Sequence, residues 1–306
     1  MKSVDALTRC LVDYAGLFPP AGEDMRTAVG NYASYLQGPD HCALGRFIVP
    51  ISRLEELEKA AFDLLPRHSA EAPWRLSVLV SDDVRAAGEE MLEFNCRHDP
   101  RSNAGYAVID VAELKAMSAD EIADRRRDLP QVFTTYFEIP ITGDVTPLVK
   151  SISIAGGRAK VRTGGVTPEA FPPARALIDF IGACRRETVA FKATAGLHHP
   201  VRREYPLTYE PNSPRWRMYG FLNVFLAASL LYAGETEQTA LAALEEDDAT
   251  AFSFERDTIT WRDKRLSAAQ VDASRRNLAI SFGSCSFREP ITELAEIIRR
   301  TNQGNR

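Results

Sequence analysis

Ala159-Lys160-Val161-Arg162-Thr163-Gly164-Gly165 and Phe191-Lys192-Ala193-Thr194-Ala195-Gly196-Leu197-His198-His199-Pro200 each set a lysine in a short apolar run just ahead of glycines. A lysine inside a strand is costly to desolvate without partners, and a following glycine lets backbone approach a ligand closely. The two lysines lie about 30 residues apart, the length of one strand, one helix and one strand of a repeating β/α fold. Adjacent strands of that kind aim both ammonium groups into one pocket. The expectation is that each then depresses the other's pKa, which makes a lysine nucleophilic near neutral pH.

The same alternation extends outward from these two segments. Strand-like runs are Gly45 to Ile51, Leu76 to Val80, Tyr106 to Ile109, Val132 to Ile139, Ala159 to Val161 and Val189 to Lys192, with helix-like stretches between most of them. Ser52 opens one helix as a cap, Ser81-Asp82-Asp83-Val84 opens another, and Pro172 to Cys184 reads as a third. A first strand near Cys10 to Leu17 and a last near Leu278 to Phe282 complete eight. Such alternation predicts a parallel sheet with crossover helices, closed as a (β/α)8 TIM-type barrel. The rival open dinucleotide-binding sheet requires G-x-G-x-x-G after an early strand, and the N-terminal region has none.

One domain over residues 1–306 is predicted, with an insertion at about 201–277 that is several times longer than an ordinary connection. It holds an apolar helix at Phe221 to Tyr232, a second helix near Thr236 to Leu244, and a hairpin from Ala251-Phe252-Ser253-Phe254 to Thr258-Ile259-Thr260-Trp261. We read it as a lid or a homo-oligomer contact. The Glu245-Glu246-Asp247-Asp248 cluster reads as a solvated helix end.

Composition excludes several classes. Lys plus Arg total 37 against 42 Asp plus Glu, with no basic stripe, so nucleic acid is not expected as a partner. The five cysteines are scattered without metal-ligand spacing, which points to a reducing cytoplasm, and no metal or cofactor is expected. The N-terminus lacks the apolar stretch of a secretory signal. The most apolar run, Gly220 to Gly234, falls short of the roughly 20 residues that span a bilayer, so membrane association is not expected and this run reads as a buried or interface helix.

In a barrel, residues at the C-terminal strand ends converge on one mouth. The candidates there are Asp110, Glu138, Lys160 with Arg162, Lys192 with Thr194, His198 with His199, and the turn Gly283-Ser284-Cys285-Ser286. Lys160 and Arg162 share strand parity and point the same way. Three motifs in order carry a resemblance: Lys160-Val161-Arg162-Thr163-Gly164, Lys192-Ala193-Thr194-Ala195-Gly196 and Gly283-Ser284-Cys285-Ser286. The chain resembles the class I aldolases of the deoxyribose-phosphate aldolase group, (β/α)8 barrels with K-x-x-T-G, K-A-S-G-G and a phosphate-binding G-x-S-S.

That resemblance implies Lys160 as the Schiff-base nucleophile, Lys192 as its perturber and Asp110 as the proton relay, with Glu138 a second acid. It also implies a phosphate site at the last motif. Read together with Arg162, a natural anchor for an anionic group, the residues expected to hold an anionic small-molecule substrate are Arg162, Thr163, Gly164, Gly165, Thr194, Gly196, His198, Gly283, Ser284, Cys285 and Ser286. The sequence departs from the family at Ala195, where a glycine is usual, at Cys285 in place of serine, in the long insertion, and at His198-His199-Pro200. Against catalysis stands a structural ion pair of the lysines with Glu138 or Asp110. Adjacent His198 and His199 point apart on an extended chain, so they do not share one metal. Cys285 precedes a helix start, where a thiol can become nucleophilic, but the sequence fixes no histidine partner for it. Two further readings stand beside the aldolase one. The first is a metal-dependent isomerase or hydrolase using Asp110, Glu138 and one histidine. The second is a non-catalytic barrel that binds a metabolite or protein through the inserted apolar helix.

Overall fold

The structure, a computed structural model, describes residues 1–67 and 71–304, the side chains of 302–304 excepted. Eight parallel strands close into a barrel: β1 (Val12–Tyr14), β2 (Leu44–Pro50), β3 (Trp74–Leu79), β4 (Ala107–Lys115), β5 (Thr134–Glu138), β6 (Arg158–Arg162), β7 (Phe191–Thr194) and, last in the chain, β13 (Ala279–Ser284). Each strand pairs with its predecessor, and β13 bridges β7 and β1 to complete the ring. The (β/α)8 expectation is met, including the end strands at Val12 and Ala279. Parallel neighbours require crossover helices, which explains why the chain alternates so regularly.

The outer face of the barrel carries the apolar core. Phe47, Leu76, Val78, Phe137, Val161, Phe191 and Phe282 are fully buried beneath the helix layer. Each side chain of this size contributes about 1.5–3 kcal/mol by leaving water, so the sheet is held chiefly from outside. Helix starts follow local chemistry: Asp24, Asp83 and Ser118 cap the helices Met25–Leu36, Val84–Arg97 and Ala119–Asp128 by accepting a backbone N–H in the first turn. Ser52 does not act as a cap. It lies inside a 3-10 turn, Ile51–Arg53, and the helix Leu54–Ala61 begins after it without a side-chain cap.

The segment before the last strand is only partly an insertion. Its helix Phe221–Tyr232 is buried from Phe221 to Leu231. Phe221 stacks on Phe282 of β13 at 5.2 Å, with Phe225 at 5.9 Å. It therefore fills the crossover position between β7 and β13, and neither a lid nor a recognition surface is formed by it. Asn223 is tolerated there because its amide donates to the Ala243 and Glu246 carbonyls and accepts from Arg202 N–H. The true additions are two small antiparallel sheets, β8 (Arg203–Pro206) with β9 (Arg215–Met218), and β10 (Phe252–Phe254) with β11 (Thr258–Trp261) and β12 (Lys264–Ser267). Glu246 departs from the solvated reading of its acidic cluster: it is buried and accepts from Trp261 Nε1 at 3.0 Å and Arg262 Nε at 2.6 Å. Among the described residues no helix is long and apolar enough to cross a membrane.

Candidate active site at the barrel mouth

Lys160 and Lys192 are direct register partners on β6 and β7. Lys192 Nζ lies 2.7 Å from Glu113 Oε1 on β4, a strand two places beyond its neighbour β6, so the contact crosses the barrel interior. The inside of the barrel is therefore charged where such barrels usually pack branched apolar side chains.

One carboxylate bridges the two amines. Glu113 Oε1 accepts from Lys192, and Glu113 Oε2 stands 2.8 Å from Lys160 Nζ. The second contact lacks hydrogen-bond directionality, since Oε2 accepts no aligned donor. Lys192 also donates to Asp13 Oδ2 at 2.6 Å, and Lys160 pairs with Glu138 Oε2 at 2.8 Å. Ser77 donates to Glu113 at 2.5 Å and Ser281 to Asp13 at 2.9 Å, while the Arg46 backbone N–H holds the other Asp13 oxygen at 2.8 Å. Gly45 makes room for this, because a Cβ there would sit 2.2 Å from Asp13 Oδ1. The Tyr136 ring, 5.5 Å from Lys192 Nζ, lies against the same ammonium.

The two lysines differ in kind. Burial alone would lower the pKa of Lys192, but Asp13 and Glu113 overcome it and push it above its ordinary value. The expectation of mutual depression is therefore not met at Lys192, which is a permanently charged group sealed from solvent. Burial likewise opposes ionisation of Glu113, yet the charges of Lys160 and Lys192 hold it well below the usual carboxylate range. Glu138 is also lowered, against its burial, by Lys160, Arg162 and Lys115.

Above this network opens a cavity of about 550 Å3. Lys160, Glu113 and Glu138 line it and Lys192 does not. Arg162, Lys115 and Arg125 bring positive charge to its wall, with Arg162 Nε 3.5 Å from Glu138. Phe18, Pro19, Ile48 and Leu79 supply apolar surface. Phe18-Pro19 thus lines the pocket as well as turning the chain. Comparison with protein-family models, curated proteins and solved structures returns no match. The chemistry has to be read from the side chains alone.

Of the residues proposed from sequence, Lys160, Glu138, Arg162, Gly165, Thr194, His198, Gly283 and Cys285 face the cavity. Asp110 does not join them. It is the extra residue of a bulge in β4, between the pairs Leu76–Ile109 and Ser77–Val111, and Arg46 and Arg75 hold its carboxylate. Among the described residues the acids on the two lysines are Asp13, Glu113 and Glu138. Asp110, Glu138 and a histidine are consequently not gathered as ligands of one metal.

Thr163, Gly164 and Gly196 have structural roles. Thr163 Oγ1 donates to the Ala195 carbonyl at 2.6 Å, and a Cβ on Gly164 would lie 3.0 Å from Gly196 Cα, so the two loops lock together. Ser284 is buried in the strand, its carbonyl accepting from Ala15 N–H, and Ser286 accepts from Glu289 N–H at the start of the helix Arg288–Gly304. His198 and His199, expected to point apart, both turn to the helix Arg288–Gly304, with ring centroids 6.4 Å apart. His198 faces Cys285 and Glu289, and His199 pairs with Glu293 at 2.9 Å while stacking on Tyr205 at 3.5 Å. The only described His/Cys/Asp/Glu atoms close enough together for one ion are those of His199, Glu289 and Glu293, and each is already committed to this ion-pair network.

Proposed function

We propose that the barrel is a lyase of the aldolase type, acting on a small anionic carbonyl compound through a Schiff base on Lys160. The observation carrying this reading is access: both amines are buried and each is paired with two carboxylates, but Lys160 lines the cavity and Lys192 does not. A nucleophile must reach its substrate, which favours Lys160.

The steps balance on groups present. Lys160 passes a proton to Glu138, and its free electron pair attacks the carbonyl carbon; a second amine proton moves to the carbonyl oxygen, giving a carbinolamine. Glu138 returns its proton to that hydroxyl, which leaves as water, and an iminium forms next to the Glu113 carboxylate. Glu138 then takes the proton of the substrate's β-hydroxyl, the Cα–Cβ bond breaks to release an aldehyde, and its electron pair moves into the iminium, giving an enamine. That proton goes to the enamine carbon, and water hydrolyses the resulting imine to free the product and Lys160. Lys192 acts as a positioning group that holds Glu113 in place. Arg162, with Lys115 and Arg125 on the same wall, suits the anionic end of the substrate.

The test is borohydride reduction in the presence of a panel of α-keto acids and phosphorylated aldehydes, followed by mass mapping. A stable adduct is expected on Lys160, absent in Lys160→Met. Absence of any adduct at Lys160 across the panel, or trapping confined to exposed lysines, overturns the proposal.

A further inference from the structure

Outside the lysine network, the same cavity wall carries a second cluster. Cys285 lies just past the end of β13, before the helix Arg288–Gly304, and is buried apart from the surface it gives to the cavity. Its sulfur stands 3.8 and 3.9 Å from the two ring nitrogens of His198, which lines the cavity too. His198 Nδ1 is 3.3 Å from Glu289 Oε2, and that oxygen accepts from the Tyr209 hydroxyl at 3.0 Å. Tyr209 comes from the loop between β8 and β9 and also approaches the sulfur, at 3.8 Å. The sulfur is nearly equidistant from the two ring nitrogens, and Nδ1 is also the one that faces Glu289, so the imidazole stands in contact with both the thiol and the carboxylate.

Burial would make His198 less basic, but the Cys285 and Glu289 side chains push it up to about 9. The charged and titratable groups facing this histidine and its partners are Cys285, Glu289, His199 and Tyr209. The Cys285 sulfur therefore lies within 4 Å of a histidine that carries its proton at neutral pH. Cys184 offers the contrast: fully buried among apolar side chains, its thiol is pushed up and inert.

We propose that Cys285, with His198 and Glu289, is a second reactive centre of the cavity, one that takes an α,β-unsaturated carbonyl compound with an anionic group by conjugate addition to sulfur. The thiolate forms a bond to the β-carbon, and the electron pair of the carbon–carbon double bond moves onto the carbonyl as an enolate. His198 then delivers its proton to the α-carbon, so nothing is oxidised or reduced. Conjugate addition needs a soft nucleophile, one proton and a place for the carbonyl, and the cluster supplies the first two within 4 Å. Arg162 and Lys115 also line the cavity and suit an anionic end, whereas Arg125 there is paired with Asp82 at 3.3 Å. The assignment does not depend on imine chemistry at Lys160.

The experiment uses the whole chain and one of its three exposed thiols, Cys96, as internal reference. Alkylation by N-ethylmaleimide and by 3-maleimidopropionate is followed peptide by peptide between pH 6 and 8. Despite its burial, Cys285 is expected to react about tenfold faster than Cys96 at pH 6, because the His198 imidazole stands within 4 Å of its sulfur. The anionic maleimide should be favoured at Cys285 and not at Cys96. His198→Gln should slow Cys285 by about tenfold at pH 6, while the Cys96 rate and the circular dichroism stay unchanged. Glu289→Gln should act in the same direction and serves if the histidine variant fails to fold. A Cys285 rate at or below that of Cys96 at pH 6 overturns the proposal. So do equal preference for the two maleimides, and an unchanged rate in the folded variants.

Discussion

Glu113→Gln keeps the shape of the bridging side chain and removes its charge. In the native protein each Glu113 oxygen faces one lysine, Oε1 at 2.7 Å from Lys192 and Oε2 at 2.8 Å from Lys160. An amide has one acceptor oxygen, so its NH2 end must confront one of the two ammonium groups, donor against donor. Removing one partner of a buried ion pair costs about 3–5 kcal/mol. Lys192 retains Asp13 and Lys160 retains Glu138, which places the loss at the lower end, about 3 kcal/mol. For a chain of 306 residues unfolding with about 2.1 cal/mol/K per residue, this lowers Tm by about 5 °C.

Urea and thermal melts of the native chain, Glu113→Gln, Lys192→Met and the double variant at pH 7 measure it. The double variant should be less destabilised than the sum of the singles by about 2 kcal/mol, because each single leaves the other group unbalanced. The pH dependence has a definite sign. Glu113 has a folded pKa below its ordinary 4.5, so its contribution is present above that value and is lost as pH falls through and below it. The native chain should therefore lose more stability between pH 5 and pH 3 than Glu113→Gln does. A variant within about 0.5 kcal/mol of the native chain at pH 7, or single effects that simply add, would refute the bridging role.

Three further substitutions probe the frame around the site. Ala195 has φ 61°, a left-handed conformation that costs an L-residue about 1–2 kcal/mol; Ala195→Gly should raise stability in urea melts by about 0.5–1 kcal/mol after glycine's added entropy. Gly45→Ala drives a methyl group into Asp13 Oδ1, so a loss of about 1–3 kcal/mol is expected, and Lys192→Met should lessen it by removing the reason to hold Asp13 in place. Phe282→Ala removes the ring on which Phe221 and Phe225 pack, which should cost about 3–5 kcal/mol and leave a chain that melts well below the native one.

The barrel was legible because parallel strands buried on both faces read as apolar runs, and eight of them recur between amphipathic segments. Lys160, Lys192, Glu138 and Arg162 were legible for the opposite reason, as charges where a strand should be apolar. Two acids of the network escaped. Asp13, in Leu11-Val12-Asp13-Tyr14, carries the same signal of a charge within an apolar run. Glu113 was hidden by a strand read as ending at Ile109, and a bulge at Asp110 resets the inward alternation in a way periodicity cannot reveal. The pairing of Cys285 with His198 joins residues 87 positions apart and depends on β13 closing beside β7, which only the completed ring brings about.

A charged barrel interior also constrains which chemistry the site tolerates. Apolar packing outside the sheet holds the fold, leaving the inside to Asp13, Glu113 and Glu138 against Lys160 and Lys192. With Arg162 3.5 Å from Glu138 the three acids face three cations, so neutralising either amine leaves a buried carboxylate short of a partner, at a cost of several kcal/mol. Acylation or carbamate formation on Lys160 would do that. A protonated imine would not, because the iminium carries the same unit charge as the ammonium it replaces, in the same place between Glu113 and Glu138. The network can thus stay fixed while the covalent bond forms, and its dipoles and charges need no reorganisation at that step. The proposed imine would therefore form with little electrostatic disturbance of this interior, on the amine that opens onto the cavity.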